Sequence, residues 1–126
     1  MVLAFIVPSN TRAPGHVRSL VHDELRSAME ERLREDLELL LSELVTNAVR
    51  YGSSGGGDIA VRLELTEQVV AVSITDSGSG FDRDTVLPTP RTDAGGFGLL
   101  LLDRLSTRWG VERDERGFRV WFKLHR

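Results

Sequence analysis

The chain of 126 residues contains no cysteine, which excludes disulfide bonds and cysteine-ligated metal sites. Its apolar runs are too short to cross a bilayer, and Pro8 interrupts the apolar start of the chain too early for a signal peptide. The formal net charge of −3 lacks the basic excess of a dedicated nucleic-acid binder. With 40% apolar and 28% charged residues, the composition is that of one globular domain spanning residues 1–126. We therefore expect a cytoplasmic domain that binds neither membranes nor nucleic acid.

Hydrophobic periodicity predicts both helices and strands. Apolar residues between Glu31 and Tyr51 recur at three- and four-residue spacing, the pattern of a helix with one buried stripe. Alternating apolar and polar residues predict two half-buried central strands. This order of elements makes an α+β fold, a two-layer α/β sandwich with helices on one face of the sheet. The predicted elements are strand 1–7, helices 14–29 and 31–51, strands 59–65 and 69–76, helix 99–106, and a hairpin of strands 109–114 and 118–124 that turns at 115–117.

The first candidate site is the segment SELVTNA, residues 42–48 of the long helix. Glu43 and Asn47 are four residues apart, so their side chains share one face at the rim of the apolar stripe. A carboxylate and a carboxamide there suit a hard ion such as Mg²⁺, which takes one or two protein oxygens together with phosphates and water. Taken alone, the segment fits a solvated polar helix edge better.

The second candidate site is the segment DSGSG, which begins at Asp76 where a predicted strand ends. Asp76 has the parity of Ile74, so its carboxylate points along the buried face and needs a hydrogen-bond donor there. The exocyclic amine of adenine is such a donor. Gly78 and Gly80 would let the backbone approach a flat ring closely. The alternative is an ordinary Asp/Gly turn at the end of a strand.

The third candidate site is the segment Gly95-Gly96-Phe97-Gly98, which opens a helix of four leucines from Leu99. Glycines at a helix start leave free backbone N–H groups aimed at an anion, and the helix dipole favours negative charge there. The segment is neither a Walker A loop nor a Rossmann fingerprint, because no Gly-Lys-Ser/Thr follows it and no strand precedes it. The alternative is a flexible loop that ends at a buried helix.

In this order the three motifs resemble the Bergerat-fold ATP-binding superfamily of histidine kinases, type II topoisomerases and related chaperones. The N-box matches residues 42–48, the D-x-G-x-G box 76–80, the ATP lid about 81–95, and the G-x-G box 96–98. The segment SELVTNAVRYG and the late W-G-V and V-W-F segments are most similar to the anti-sigma factor serine/threonine kinases, in their short single-domain actinobacterial form. The resemblance covers essentially the whole chain and implies a mixed, mostly antiparallel sheet.

The resemblance implies an anti-sigma factor that binds ATP and Mg²⁺ and phosphorylates a STAS-type anti-sigma antagonist on Ser or Thr. A sigma factor would be the second partner, and the chain would form a homodimer. Glu43 would be the general base and Asn47 the Mg²⁺ ligand. The alternative is a non-catalytic module that senses ATP and binds a partner. The residues implied to hold the nucleotide are Asn47, Asp76, Gly78, Gly80, Arg91, Gly96, Phe97, Gly98 and Leu99.

Two features depart from the pattern of relatives, and His22 superficially resembles a phospho-accepting histidine. In relatives, a Thr that supports the adenine precedes the V-W pair, whereas this chain has Arg119 there. The lid contains no lysine, so Arg83 and Arg91 are its candidate phosphate ligands, and Arg91 is preferred because it lies nearer the glycines. His22 is followed by Asp-Glu-Leu-Arg, which breaks the spacing of a phospho-accepting histidine box. We therefore expect His22 to be an exposed helix residue.

Overall fold

The computed structural model describes residues 1–51, 57–76, 98–114 and 117–126, and for Tyr51, Gly98, Leu99 and Asp114 it describes the backbone alone. The described part contains three helices and five strands in the predicted order, which confirms the α+β fold. The elements are β1 (Val2–Pro8), α1 (Ala13–Leu25), α2 (Glu31–Tyr51), β2 (Asp58–Leu65), β3 (Val69–Asp76), α3 (Gly98–Leu105), β4 (Arg108–Asp114) and β5 (Gly117–His125).

The five strands form one sheet in the order β1-β2-β3-β5-β4. Every pairing among the described strands is antiparallel, so the parallel pair that a mixed sheet would need is not found there. Two helices separate β1 from β2 and return the chain to the end where β1 stopped. A backbone hydrogen bond of 2.9 Å from Ser9 N to Gly57 O holds that end together.

The hydrophobic core lies between the helices and one face of the sheet. The predicted alternation is present in β2 and β3, where every second residue is buried. The predicted stripe of α2 is buried as well, so burial of large apolar side chains on both layers, each contributing about 1.5–3 kcal/mol, holds the sandwich together. The central core residues are Leu37, Leu40, Leu41, Leu44, Val45, Ile59, Val61, Leu63, Val70, Val72, Ile74, Leu102, Phe118, Val120 and Phe122.

Helix α1 ends at Leu25, four residues before the predicted end near Met29. The backbone N–H of Ala28 donates to Leu25 O at 3.1 Å, and the guanidinium of Arg34 donates to Arg26 O at 3.1 Å. These bonds satisfy carbonyl groups at the helix end, which otherwise have no partner within the helix. Met29 is still buried, which explains why its apolar character extended the predicted helix.

The topology brings two distant segments to one end of the sandwich. Residues 52–57 link the end of α2 to the start of β2, where Ile59 stands in register with Asp76. The carboxyl end of α2 and the carboxyl end of β3 therefore lie at the same end of the domain. Asp76 occupies the last position of the middle strand, between β2 and β5.

Candidate functional site

Glu43 and Asn47 lie on consecutive turns of α2 and both contain a buried oxygen without a partner. Among the described residues, Glu43 Oε2 and Asn47 Oδ1 are fully enclosed and accept no hydrogen bond. Asn47 as a whole is only 6% exposed, and Glu43 is half-buried. Both atoms are acceptors, so each needs a donor or a cation.

An enclosed acceptor without a partner costs about 1–3 kcal/mol, and native proteins leave few such atoms. Two of them four residues apart on one helix face form a local concentration of oxygen lone pairs. Oxygen atoms are the ligands that Mg²⁺ prefers, and Mg²⁺ uses only one or two from the protein when phosphates supply others. The donor set therefore fits a hard cation. No group of three His, Asp or Glu side chains in the described ranges forms a metal site by itself.

Asp76 is buried at the end of β3, on the face of the sheet that the helices cover. It is 6% exposed and follows the buried parity of Val72 and Ile74, as its position in the sequence predicts. Its register partners are Ile59 on β2 and Phe118 on β5. The carboxylate is thus flanked on both sides by apolar residues, in surroundings that strengthen hydrogen bonds to it.

The structure shows on which face of the sheet Arg119 lies. This residue faces the opposite side of the sheet, where its guanidinium forms a salt bridge of 2.9 Å with Glu112. Phe118 is the residue of β5 that stands beside Asp76 on the helix-covered face. A one-residue offset along a strand reverses the face, so Arg119 removes no contact near Asp76. The alternation of Phe118, Val120 and Phe122 in the sequence contains the signal for this orientation.

Two of the predicted phosphate-binding residues, Gly98 and Leu99, form the start of α3. The first N–H groups of a helix have no partner within it, and the dipole favours an anion there. The other predicted residues lie in 77–97, outside the described residues. They are Gly78, Gly80, Arg91, Gly96 and Phe97, together with Arg83 and the predicted lid at 81–95.

Two further residues stand in the same row across the sheet as Asp76 and were not singled out from the sequence. Arg113 on β4 stands in register with Phe118, and its guanidinium carbon lies 5.8 Å from the centroid of the Phe118 ring. Their pairing depends on the register of β4 with β5, which the sequence pattern does not specify.

His22 is 46% exposed, close to expectation, and its Nδ1 lies 2.8 Å from Glu38 Oε1 on α2.

The open face of the sheet contains a shallow depression of about 270 Å³. Arg62, Ser73 and Trp121 line it, on the side of the sheet away from Asp76. It therefore does not belong to the candidate site. None of the helices in the described ranges is long and apolar enough to span a membrane.

Residues 7–124 match the family model of the histidine kinase-like ATPase domain. The chain is similar to serine-protein kinase RsbW of Bacillus velezensis, with 34% identity over 92 residues that cover 64% of this chain and 58% of the relative. RsbW of Oceanobacillus iheyensis is 31% identical over 83 residues, which cover 56% of this chain and 52% of the relative. The chain thus spans between one half and three fifths of the length of these relatives.

Solved structures of histidine kinases share the fold. The blue-light activated histidine kinase of Erythrobacter litoralis EL346 superposes with a TM-score of 0.63 at 21% identity, covering 87% of this chain and 39% of that one. The mycobacterial sensor histidine kinase MprB gives a TM-score of 0.58 at 15% identity, covering 96% and 97%. At these identities the likeness establishes the architecture of the sheet and helices.

Proposed function

The chain belongs to the histidine kinase-like ATPase family, and on that premise we propose that it binds ATP with Mg²⁺ and transfers the terminal phosphoryl group to a protein. The observation that carries the proposal is the pair of enclosed oxygens without partners on α2, Glu43 Oε2 and Asn47 Oδ1. Such a pair is costly for a helix with only a structural role, because each buried acceptor without a partner destabilises the fold.

Asn47 would hold the Mg²⁺ through Oδ1, and the ion would supply charge compensation to the phosphates when bound. Glu43 would accept the proton of the attacking Ser or Thr hydroxyl. At the same time the hydroxyl oxygen would form a bond to the terminal phosphorus, and the bond from that phosphorus to ADP would break. A general base contributes about 10²–10⁴-fold to such a step. No described donor holds this carboxylate oxygen, so its lone pairs are not committed to another hydrogen bond.

Asp76 would accept a hydrogen bond from the exocyclic amine of adenine. Its burial and its apolar register partners favour such a directional bond over contact with water. Gly98 and Leu99 would direct the free N–H groups of α3 at the phosphates. We assign Gly78, Gly80, Arg91, Gly96 and Phe97 to the same site from the motif pattern.

The relatives are named serine-protein kinases, and this supports Ser or Thr as the acceptor. We extend the proposal to the partners that the resemblance implies: a sigma factor that the chain inhibits, and a STAS-type antagonist that it phosphorylates. A homodimer in the cytoplasm is part of the same proposal. The competing function is an ATP-sensing module that binds its partner without phosphorylating it.

Removal of the Asn47 ligand tests the nucleotide and metal site. Asn47→Ala should weaken the binding of ATP with Mg²⁺ by about tenfold or more and should change metal-free ATP binding little, because only the metal-bound form uses the ligand. Calorimetric titrations with and without Mg²⁺ measure both affinities. Thr46→Ala is the matched control, since Thr46 is the neighbouring residue and its hydroxyl donates within α2 to Ser42 O at 2.7 Å.

Equal losses with and without Mg²⁺ would contradict the assignment of Asn47 as the metal ligand. Absence of ATP binding to the unaltered protein would contradict the proposed function as a whole.

A further inference from the structure

Strand β1 forms one edge of the sheet and contains no charged residue. Among the described strands it pairs with β2 alone, and β4 forms the other edge. Its sequence, VLAFIVP, is apolar throughout, and Val2 and Ile6 are 51% and 67% exposed. Proteins usually protect sheet edges with charged side chains, because an unprotected edge binds further strands. Strand β4, with the sequence RWGVERD, has that protection, whereas β1 lacks it.

The hydrogen bonds between β1 and β2 show which backbone groups of β1 face outwards. The N–H of Leu65 donates to Met1 O at 2.8 Å, and the Met1 amino group donates to Leu65 O at 3.0 Å. Hydrogen-bonded and non-hydrogen-bonded positions alternate along an antiparallel pair. The odd-numbered residues of β1 therefore direct their backbone groups at β2. The N–H and C=O groups of Val2, Ala4 and Ile6 point to the open edge.

A second copy of β1 fits this edge in antiparallel orientation. A two-fold axis at Ala4 places this residue opposite its own copy and places Val2 opposite Ile6 of the other chain. Each opposed pair would exchange two backbone hydrogen bonds, because all three residues direct both backbone groups outwards. The exposed branched side chains of Val2 and Ile6 would then cover each other across the strands, a contact that stabilises antiparallel pairs.

Pro8 selects this register over the neighbouring one. A two-fold axis at Phe5 would place Val2 opposite Pro8, which has no N–H to donate. The axis at Ala4 leaves Pro8 outside the paired segment. On the other face of the strand, the half-buried Leu3 would then stand opposite Phe5, so apolar residues meet on both faces.

We propose that β1 is a dimerisation edge, at which two copies of the chain pair antiparallel about Ala4 and join their sheets into one. The inference rests on the homodimer of the proposed function and gives that homodimer an interface. The matched side chains favour a second copy, since a two-fold contact must be complementary to itself. Pairing in this way covers both apolar edges and leaves the charged β4 edges outermost, which opposes the addition of further strands.

Ala4→Pro tests the backbone pairing. It removes an N–H that points away from β2, and proline is tolerated in edge strands at such positions. The fold of the single chain should therefore survive. The unaltered protein should sediment as a dimer, and the dissociation constant of the dimer should rise at least about tenfold in Ala4→Pro, because both copies lose the hydrogen bonds of the central pair. Sedimentation equilibrium measures both constants.

Ile6→Lys tests the side-chain contact. Because Ile6 is exposed, the substitution is compatible with the folded single chain, but it places a charge against Val2 of the other copy. The dissociation constant should again rise at least about tenfold. Leu39→Lys is the matched control, since Leu39 is 43% exposed on α2. The same change there should keep the dissociation constant within about threefold of the unaltered protein.

A cross-link tests the register, and the absence of cysteine from the chain makes it specific. Opposed Ala4 residues would have Cα atoms about 5.5 Å apart, within the range that a disulfide spans. Mild oxidation of Ala4→Cys should therefore link two chains, as non-reducing electrophoresis would show. Ala60→Cys is the control: Ala60 is exposed and stands opposite Ile6 on β2, so its two copies would lie at least about 14 Å apart and should not be linked.

A monomeric unaltered protein would overturn the inference and leave the β1 edge to a strand of another protein. A dimer that neither Ala4→Pro nor Ile6→Lys weakens would overturn the interface but not the homodimer. If Ala4→Pro does not fold, Ile6→Lys and the cross-link decide. Titration with ATP and Mg²⁺ tests the proposed function separately. A dimer that binds no ATP overturns that function and leaves the inference, and a monomer that binds ATP does the reverse.

Discussion

The enclosed oxygen of Glu43 predicts a gain in stability when it is removed. Glu43→Met keeps the length and the helix propensity of the side chain but eliminates Oε2, which is buried without a partner. The free energy of unfolding should rise by about 1–2 kcal/mol, because the desolvation cost of that atom disappears. Urea unfolding measures the change.

Glu35→Met is the matched control for this substitution, since Glu35 lies on the same helix and is exposed. A surface change of this kind should stay within about 0.5 kcal/mol of the unaltered protein. Loss of stability in Glu43→Met, with Glu35→Met neutral, would mean that the carboxylate supports the fold, and would remove the observation on which the proposed function depends.

At the scale of single residues, the sequence predicts which face of a helix or strand a residue occupies better than it predicts which neighbours the residue contacts. The buried parity of Asp76 and the shared helix face of Glu43 and Asn47 follow from the two backbone periods. The unpartnered state of the two helix oxygens depends on every neighbouring side chain, so no local pattern reveals it. Arg119 stands where relatives have an adenine-supporting Thr, but it faces the open side of the sheet, because neighbouring residues of a strand point to opposite faces.

At the scale of elements, Gly110 reveals a packing constraint between β4 and β5. A Cβ at Gly110 would lie 2.8 Å from ring atoms of Trp121, its register partner, which is closer than such contacts allow. Gly110→Ala must displace the indole from its half-buried position. We expect a loss of about 1–3 kcal/mol in the free energy of unfolding, as for other overpacked sites.

Gly15→Ala provides the control with the opposite sign. Gly15 lies in α1, and a Cβ there would meet nothing within 4 Å. Replacing a helical glycine by alanine stabilises by about 0.5–1 kcal/mol. Urea unfolding of both variants should therefore give changes of opposite direction, and a neutral Gly110→Ala would show that the indole moves away without cost.

The observed ends of the helices agree with the predicted ends where the local sequence pattern is strong. Helix α2 has the predicted bounds, Glu31 and Tyr51, because its apolar stripe is continuous over its length. Helix α1 ends early because Arg34, eight residues beyond Arg26, donates to the carbonyl of that residue, and a tertiary contact of this kind leaves no periodic trace. Gly117, the first residue of β5, has a φ of 137°, a backbone conformation that favours glycine.

At the scale of the whole molecule, the fold gathers the candidate site from segments far apart in the chain. Asn47 on α2, Asp76 on β3 and Phe118 on β5 come to one end of the sandwich because the sheet order places β3 between β2 and β5. At the opposite end of the domain, the guanidinium of Arg126 donates hydrogen bonds to Thr66 O and Ala28 O. The antiparallel topology thus places these candidate residues at the same end of the domain.

The last prediction separates a kinase from an ATP-sensing module through Glu43→Gln. The amide keeps the size of the side chain but has little basicity, so it cannot take the proton of an attacking hydroxyl. Nucleotide binding should survive: ATP with Mg²⁺ at 100 times its dissociation constant should stabilise both proteins against unfolding by about 2.7 kcal/mol. Transfer of labelled phosphate to a partner protein captured from the native cell should fall by about 10²–10⁴-fold.

The paired readout gives each outcome one meaning. Intact stabilisation by ATP together with lost transfer supports a kinase whose base is Glu43. Transfer that persists in Glu43→Gln keeps the kinase but excludes Glu43 as its base, because the amide cannot replace a carboxylate in that role. If the unaltered protein binds ATP and captures a partner but transfers no phosphate to it, the kinase is excluded. The ATP-sensing module then takes its place, since nucleotide binding without transfer is all that such a module requires.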